Sequence, residues 1–363
     1  LKSYLRLEGW IGMSARPKVF GQLLAEVINK GLCVGCGGCE AVCPVNSISL
    51  IDGTPRLTGI CIACGICYSC CPRTSFDEAE MERLIFGRNR SESEAFTGVS
   101  MGYYAGRSRN EEVLRHSQDG GVVSSLLIQF LRGGGECAVV AGLEEGRVWA
   151  PRPMVALKEE EVLRGAGTKY TPSPTLVGVD SAITEYKKKR VAVVGTPCQI
   201  RALRKIEKGR YTDKRIAESV TVKIGLFCME TFDYKSLMEF LEKKKVNPKE
   251  ITKFAIRRGK FAAIRDGDTV FETGLSRIKE LVRPCCGACE DFTAEFSDIS
   301  VGNVGSPDGW STVIVRTEIG EQLLRDAEKA GLIELKPLEQ GETGLGAVLK
   351  LSMSKKKRAG VSP

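Results

Sequence analysis

A chain of 363 residues, 42% of them hydrophobic, has the length for two or three soluble domains, and no apolar run of about eighteen residues is present to cross a membrane. The formal net charge of +8, four of it in the run Lys355 to Arg358 that reads as a solvated end, is too diffuse for nucleic acid and suits an anionic small substrate or an acidic partner. One histidine excludes a His-based metal site, and fifteen cysteines gathered in Cys-x-x-Cys runs point to metal in a reducing compartment, by default the cytoplasm, rather than to disulfides.

The N-terminal stretch "LKSYLRLEGWIGMSARPKVF" has no secretory apolar core. Its opening on Leu1 leaves two alternatives, a non-AUG start or a start at Met13. Residues 1–30 read as an extension ending in a short helix, "PKVFGQLLAEVINK". Residues 31–95 read as a cysteine module, with strand-like "SISLIDGTPRL" between two runs and a charged helix and linker, "DEAEMERLIFGRNRSESEAF", leading out. From about residue 101 apolar strands alternate with amphipathic helices, an α/β pattern, and the region 96–335 divides after residue 185. Its strands are "GECAVVAGL", "RVAVVG", "TVKIGLFC", "SDISVGNVG" and "STVIVRT". "ITKFAIRRGKFAAIRDGDTVFETG" alternates like antiparallel strands around a "DGD" turn. A helix is predicted from Tyr234 to Lys245, and "EIGEQLLRDAEKAG" is a helix that stops at Gly331. Residues 336–363 fade into a weak helix and a basic tail.

The chemistry begins in the cysteine runs. Cys33, Cys36, Cys39 and Cys43-Pro44 recur 28 residues later as Cys61, Cys64, Cys67 and Cys71-Pro72. This is the bacterial ferredoxin spacing for two 4Fe–4S clusters, in which the fourth cysteine of each run ligates the other run's cluster. One cluster is therefore assigned to Cys33, Cys36, Cys39 and Cys71, the other to Cys61, Cys64, Cys67 and Cys43. Small residues (Gly35, Gly37, Gly38, Ala63, Gly65) leave room for N–H groups near the sulfurs. Structural zinc competes weakly, since it needs only one set of four ligands. Cys70 and Cys137 read as packing residues. Cys198 in "VGTPCQ" and Cys228 in "GLFCME" each follow the C-terminal end of a strand, where α/β sheets open their crevice. With Cys285, Cys286 and Cys289 in "RPCCGACEDF", they are either a third cluster with dispersed ligands or ordinary buried cysteines.

Four glycine-rich turns follow: "HSQDGGVVSSLL", "RGAGTKYTPSP", "VGTPCQ" and "GNVGSPDGWS". Backbone N–H groups at a glycine turn opening a helix can meet a phosphate. Each alone is an ordinary turn; together they outline a cofactor crevice. Neither Gly-x-Gly-x-x-Gly nor a Walker loop is present. Arg257, Arg258 and Lys260 in "FAIRRGKF" are either a solvated strand face or a grip on an anionic tail, and His116 is more simply structural than catalytic.

The stretches "SQDGGVVSSLL", "AGTKYTPSP", "VGTPCQIRAL", "IGLFCMETFDY" and "CEDFTAEFSDISVGNVGSPDGWSTVIVRT" resemble the beta subunits of coenzyme F420-dependent hydrogenases and dehydrogenases over about residues 100–335. The resemblance implies an α/β (α+β) flavin-binding core behind an N-terminal two-cluster ferredoxin module. It implies FAD and F420 bound by residues among Ser117, Gln118, Asp119, Gly120, Gly121, Thr168, Lys169, Tyr170, Gly195, Thr196 and Pro197. It maps a third 4Fe–4S cluster onto Cys198, Cys228, Cys286 and Cys289, with Cys285 the alternative to Cys286 because the doubled cysteine departs from the usual single Cys-x-x-Cys. The implied activity is hydride transfer from reduced F420 to FAD, then single electrons through three clusters to a partner protein. That partner is either soluble or part of a complex-I-like membrane assembly with this chain on its cytoplasmic face. The module's N-terminal position makes the chain most like the F420-oxidising input subunit of the membrane-bound dehydrogenase. The beta subunit of a hydrogenase or formate dehydrogenase, and a plain electron carrier without F420 activity, are the alternatives. A carrier would not need the second domain of glycine turns.

Overall fold

The structure is a computed structural model that describes residues 17–361 except 210 and 212. The alternative starts at Leu1 and Met13 lie outside the described residues. In the cysteine module, one α turn, Phe20–Leu23, runs into a π turn, Leu24–Ile28. Phe20, Leu23 and Val27 pack there with Cys39, Cys43 and Cys67. Strands β1 (Ile48–Ile51) and β2 (Thr54–Leu57) pair antiparallel. They turn at Asp52-Gly53, both at positive φ (49° and 73°), the turn that matches strand twist. The cysteine repeat is also a backbone repeat. Gly37 (φ 84°) and Gly65 (φ 79°) open the short helices Gly38–Ala41 and Ile66–Ser69. At Gly37 a Cβ would lie 2.7 Å from Val177 Cγ2, so the loop approaches the rest of the molecule too closely for a side chain.

The remaining strands are β3 (Gly102–Ser108), β4 (Cys137–Leu143), β5 (Pro151–Ala156), β6 (Val191–Gly195), β7 (Val220–Leu226), β8 (Lys253–Arg257), β9 (Lys260–Arg265), β10 (Asp268–Gly274), β11 (Ile299–Gly302), β12 (Ser311–Val315) and β13 (Ile333–Pro337). Eight of them form one sheet in the order β13-β3-β12-β11-β7-β6-β4-β5. The centre, β4, β6, β7 and β11, is parallel. Both flanks are antiparallel. The parallel β4 and β6 carry unbroken apolar runs, as burial on both faces requires, whereas β7 is interrupted by Thr221 and Lys223 and the antiparallel β12 is buried along its whole length. The flanking β3, β5 and β13 carry polar residues and were not anticipated from the sequence.

Period-2 alternation divides the sheet between two cores. Cys137, Val139, Val191 and Val193 face one side, packing with Leu176, Val179, Ile200 and Leu203 of the helices Thr175–Thr184 and Pro197–Lys208. Ala138, Val140, Ala192 and Ile224 face the other, packing with Leu126, Leu127 and Leu324 of the helices Val122–Arg132 and Glu318–Lys329. The cysteine module joins the first core through Val34, Val42, Ile66 and Cys70. It therefore shares a core with the sheet, and the charged segment that follows is clamped. There Arg90 pairs with Glu82, with Glu78 (3.4 Å) and with Glu295 (2.6 Å). A separate antiparallel sheet, β8-β9-β10, packs with the helix Tyr234–Lys243 around Phe254, Phe261 and Leu241.

One sequence expectation is corrected. The run Lys355 to Arg358 is no solvated end: it closes the helix Leu345–Arg358, in which Val348, Ser352, Lys355 and Lys356 are buried. Spacings of three and four residues put these on one helical face, and two of the charges are turned inward.

Candidate functional site

The first and second cysteine runs interleave. An apolar cavity beside Leu23 and Val27 is ringed by Cys33, Cys36 and Cys39 from the first run and by Cys70 and Cys71 from the second. Burial pushes the Cys36 thiol up, and Cys71, Cys198 and Cys33 add to the rise. Burial likewise lifts Cys67 to about 12, aided by Cys64, Cys61 and Cys43. The thiol neighbours are thus Cys33, Cys36, Cys39 and Cys71 in one group, and Cys61, Cys64, Cys67 and Cys43 in the other. Cys43 Sγ accepts from Ser47 N at 3.3 Å and Cys61 Sγ from Ala63 N at 3.4 Å, so backbone donors do reach the sulfurs. Among the described residues no three acidic, cysteine or histidine side chains close around a single metal ion. The donor set of grouped thiols suits a multi-iron cluster better than one tetrahedral zinc. Cys137 is fully buried in the sheet core, while Cys70, 1% exposed, joins the core and also lines the cavity beside Cys39 and Cys36.

The third group forms where the parallel strands end. Cys198 lies in the first turn of the helix Pro197–Lys208, whose N-cap is Thr196 with Pro197 after it. A helix N-terminus favours a thiolate. Thr196 Oγ1 lies 3.3 Å from Cys198 Sγ. Cys228 follows β7, its N–H donating to Phe292 O at 2.9 Å. Burial raises Cys228 to about 12, with Cys198, Cys289 and Cys286 adding to it. Cys285 is not among these neighbours. Its thiol donates to Cys286, and that bond, with Thr231 N–H at 3.4 Å, holds Cys286 down at about 5. Cys286 is the charged member of the pair and Cys285 is 2% exposed within the sheet core. Cys36 packs in one core cluster with Cys198, Cys285 and Cys286, so the third group stands next to the first, and Cys61 of the second group is exposed.

Cations that were not singled out from the sequence tie these groups together. Arg73, just after Cys71-Pro72, donates to Cys285 O (2.7 Å) and Ala288 O (2.8 Å). Arg283 donates in the opposite sense, to Val34 O (2.9 Å) and Cys33 O (3.1 Å). Lys205, on the helix of Cys198, donates to Cys71 O at 2.7 Å. The only sequence signal was proximity: each lies within a few residues or two helical turns of a cysteine.

The glycine turns meet the small sheet. Lys253 of β8 donates to Ser117 O and Gln118 O, both at 2.9 Å. Gln118 Oε1 accepts from Thr168 N at 3.3 Å. Ile256 N donates to Tyr170 Oη at 2.9 Å. Gly120 lies so tightly on β3 and β12 that a Cβ would be 2.6 Å from Gly106 O and 2.7 Å from Ser311 N, and Gly121 (φ 72°) caps the helix Val122–Arg132. Arg257, at the β8–β9 tip, pairs with Asp119 at 3.3 Å, and Arg258 with Asp308 at 3.5 Å. The tip therefore bridges the "SQDGG" and "GSPDG" turns. Lys260 points elsewhere, to Glu272 at 2.6 Å. Lys169 folds onto the carbonyls of Gly165 (2.6 Å), Ala166 (2.8 Å) and Gly167 (3.1 Å) of its own loop, and burial lowers it to about 8. His116 is exposed at a helix end, its Nδ1 2.9 Å from Glu112 O. Gly195 ends β6, and Gln199 beyond it donates to Ser173 O at 2.7 Å. Ser173 Oγ, buried beside this turn, has no partner among the described residues. An unpaired buried hydroxyl costs about 1–3 kcal/mol, so a polar ligand atom fits there.

Comparison with known proteins places the chain in a family. Residues 188–341 match the family model for the C terminus of the coenzyme F420 hydrogenase/dehydrogenase beta subunit, and 103–179 match its N-terminal counterpart. The beta subunit of coenzyme F420 hydrogenase from Methanothermobacter thermautotrophicus is 40% identical over 255 residues, 70% of this chain and 90% of that one. The chain belongs to the coenzyme F420 hydrogenase/dehydrogenase beta-subunit family. The matched region takes in the α/β core with the glycine turns and the third cysteine group. Residues 26–49 match a 4Fe-4S binding domain model. The F component of the F(420)H(2) dehydrogenase of Methanosarcina mazei is 34% identical over 344 residues, 92% of each chain, so that likeness takes in the cysteine module too. A chain of the F420-reducing NiFe hydrogenase complex of Methanosarcina barkeri superposes with a TM-score of 0.70 at 33% identity, covering 73% of this family member and 92% of that chain. Among the described residues no helix is long and apolar enough to cross a membrane.

Proposed function

We propose that this chain is an F420 oxidoreductase subunit that takes hydride equivalents from reduced F420 and delivers single electrons to a protein partner. The supporting observation is the adjacency of the three thiol groups: the third at the sheet crevice, the first packed with it, and the second packed with the first and exposed at Cys61. Cys198, Cys228, Cys286 and Cys289 would hold the cluster nearest the crevice. Cys33, Cys36, Cys39 and Cys71 would hold the middle one, and Cys61, Cys64, Cys67 and Cys43 the outermost. When bound, FAD supplies the exchange between a two-electron hydride donor and one-electron clusters.

The chain's own residues bind, orient and insulate. The N–H groups of Ser117 and Gly120 are spent on Leu114 O and Ser311 Oγ, which leaves those of Gln118, Asp119 and Gly121, at the start of an eleven-residue helix, to meet a flavin phosphate. Thr168, Tyr170, Gly195, Thr196 and Pro197 shape the wall, while Lys169 braces its own loop. Arg257 and Arg258, exposed at the hairpin tip, are placed to hold the phosphate and glutamyl tail of F420. Arg73, Arg283 and Lys205 fix the spacing between the inner groups, so that orientation is set before any substrate arrives. At the outlet, Cys61 is flanked by Ile60 (88% exposed) and Ile62 (52% exposed), a surface suited to an electron-accepting protein, soluble or on the cytoplasmic face of a membrane complex.

Anaerobic purification with iron and flavin counts tests this reading. It expects about twelve irons, four for each cluster, one FAD, and return of oxidised deazaflavin absorbance when the electron acceptor is supplied with reduced F420. Full iron with no flavin retained after reconstitution sinks it and leaves a plain electron carrier.

A further inference from the structure

The helix Leu345–Arg358 lies beyond the matched family model, which ends at residue 341, yet it sends a charge into the third cysteine group. Lys355 is 1% exposed. Its Nζ donates to Cys228 O and, at 2.7 Å, to Asp291 O. One turn on, Arg358 donates to Met229 O at 2.8 Å and to Cys286 O at 3.5 Å, and pairs with Glu230 at 2.6 Å. The two side chains thus grip both loops that carry the thiols.

The two buried lysines of this helix differ. Lys356 is neutralised by Glu295 at 2.8 Å. Lys355 has no carboxylate within ion-pair distance among the described residues; its hydrogen bonds end on carbonyl oxygens. A buried charge without a counter-charge is costly. The groups that face it are the thiols of Cys228, Cys289 and Cys198 and the buried Asp291 carboxyl. A cluster held by four thiolates is anionic, and reduction adds one more negative charge to it.

We propose that Lys355 is a positioning residue that sets the reduction potential of the third cluster, holding the Cys228 and Asp291 loops while its ammonium favours the reduced state. This rests on the third-cluster assignment made above. With a cluster held by Cys198, Cys228, Cys286 and Cys289, the fixed charge of Lys355 would make that cluster a better electron acceptor.

The test is an anaerobic redox titration of the whole chain followed by electron paramagnetic resonance, with iron counted on every sample. Lys355→Gln keeps a donor and removes the charge. It is expected to shift the one-electron equilibrium of the third cluster at least tenfold toward the oxidised form, about 59 mV more negative. Lys355→Arg is expected to keep the wild-type potential. Lys357→Gln, which removes an exposed charge from the same helix, is expected to leave it unchanged. An unshifted potential in Lys355→Gln with iron retained overturns the proposal, as does an equal shift in Lys357→Gln. Should Lys355→Gln lose the third cluster, Lys355→Arg decides: a retained cluster at wild-type potential supports the charge requirement, and loss in both variants overturns it. About eight irons in the wild type would instead refute the three-cluster reading itself.

Discussion

Asp298, at the entry to β11, offers a quantitative test of what holds the crevice strands in register. Its Oδ1 accepts from Arg204 Nη2 (2.7 Å) and Thr317 Oγ1 (3.1 Å), and its Oδ2 from Lys223 N (2.8 Å). The group is 2% exposed and spans β7, β11 and the helix of Cys198. In Asp298→Asn the volume is unchanged, but only one oxygen remains. Whichever way the amide turns, its NH2 faces an N–H or guanidinium donor. Breaking a buried ion pair from one side costs about 3–5 kcal/mol. Arg204 retains Glu207 at 2.7 Å, which places the expected loss near the lower end, about 3 kcal/mol. Anaerobic urea denaturation at neutral pH, followed by tryptophan fluorescence, should show a lower midpoint at unchanged slope. The pH dependence has a definite sign. Burial alone would raise the Asp298 carboxyl, but Arg204 and Lys223 outweigh it and hold it below its ordinary value. Its contribution is therefore present above the unfolded value of about 3.9 and is lost as pH falls through the lower folded value. The acid limb of the stability curve should be flatter in the variant. A loss under about 1 kcal/mol, or an unchanged acid limb, would refute the reasoning.

Three further outcomes are expected. Cys286→Ser should lower iron from about twelve to about eight per chain, while Cys285→Ser should leave the count unchanged, because Cys285 is the protonated donor of the pair; iron analysis distinguishes them. Gly120→Ala should cost about 1–3 kcal/mol through overpacking against Gly106 O and Ser311 N, and the purified variant should retain less flavin than the wild type. Arg257→Glu should raise KM for reduced F420 about tenfold, equivalent to about 1.4 kcal/mol, with kcat little changed, since the side chain meets the tail rather than the reacting ring.

The local sequence determined what local chemistry can determine. Cys33 to Cys71 form a repeat whose spacing fixes how thiols and left-handed glycines alternate, and that periodicity needs no tertiary information. The alternation of apolar strands with amphipathic helices announced an α/β fold, and the apolar runs of β4 and β6 fit strands buried on both faces. The resemblance in the glycine turns and dispersed cysteines carried the reading further, to family and activity. Tertiary structure decided the rest. The flanking β3, β5 and β13 carry mixed residues whose partners lie far along the chain, so neither period nor propensity marks them. Cys286 rather than Cys285 as the charged thiol depends on Thr231, 55 residues away in sequence. The latch of Arg73 and Arg283 spans more than 200 residues. The basic run at the C-terminus shows the physical reason most directly. A lysine is solvated or buried according to what its helix packs against, and Lys355 is buried because a group of thiols and carbonyls, assembled from distant loops, stands opposite it.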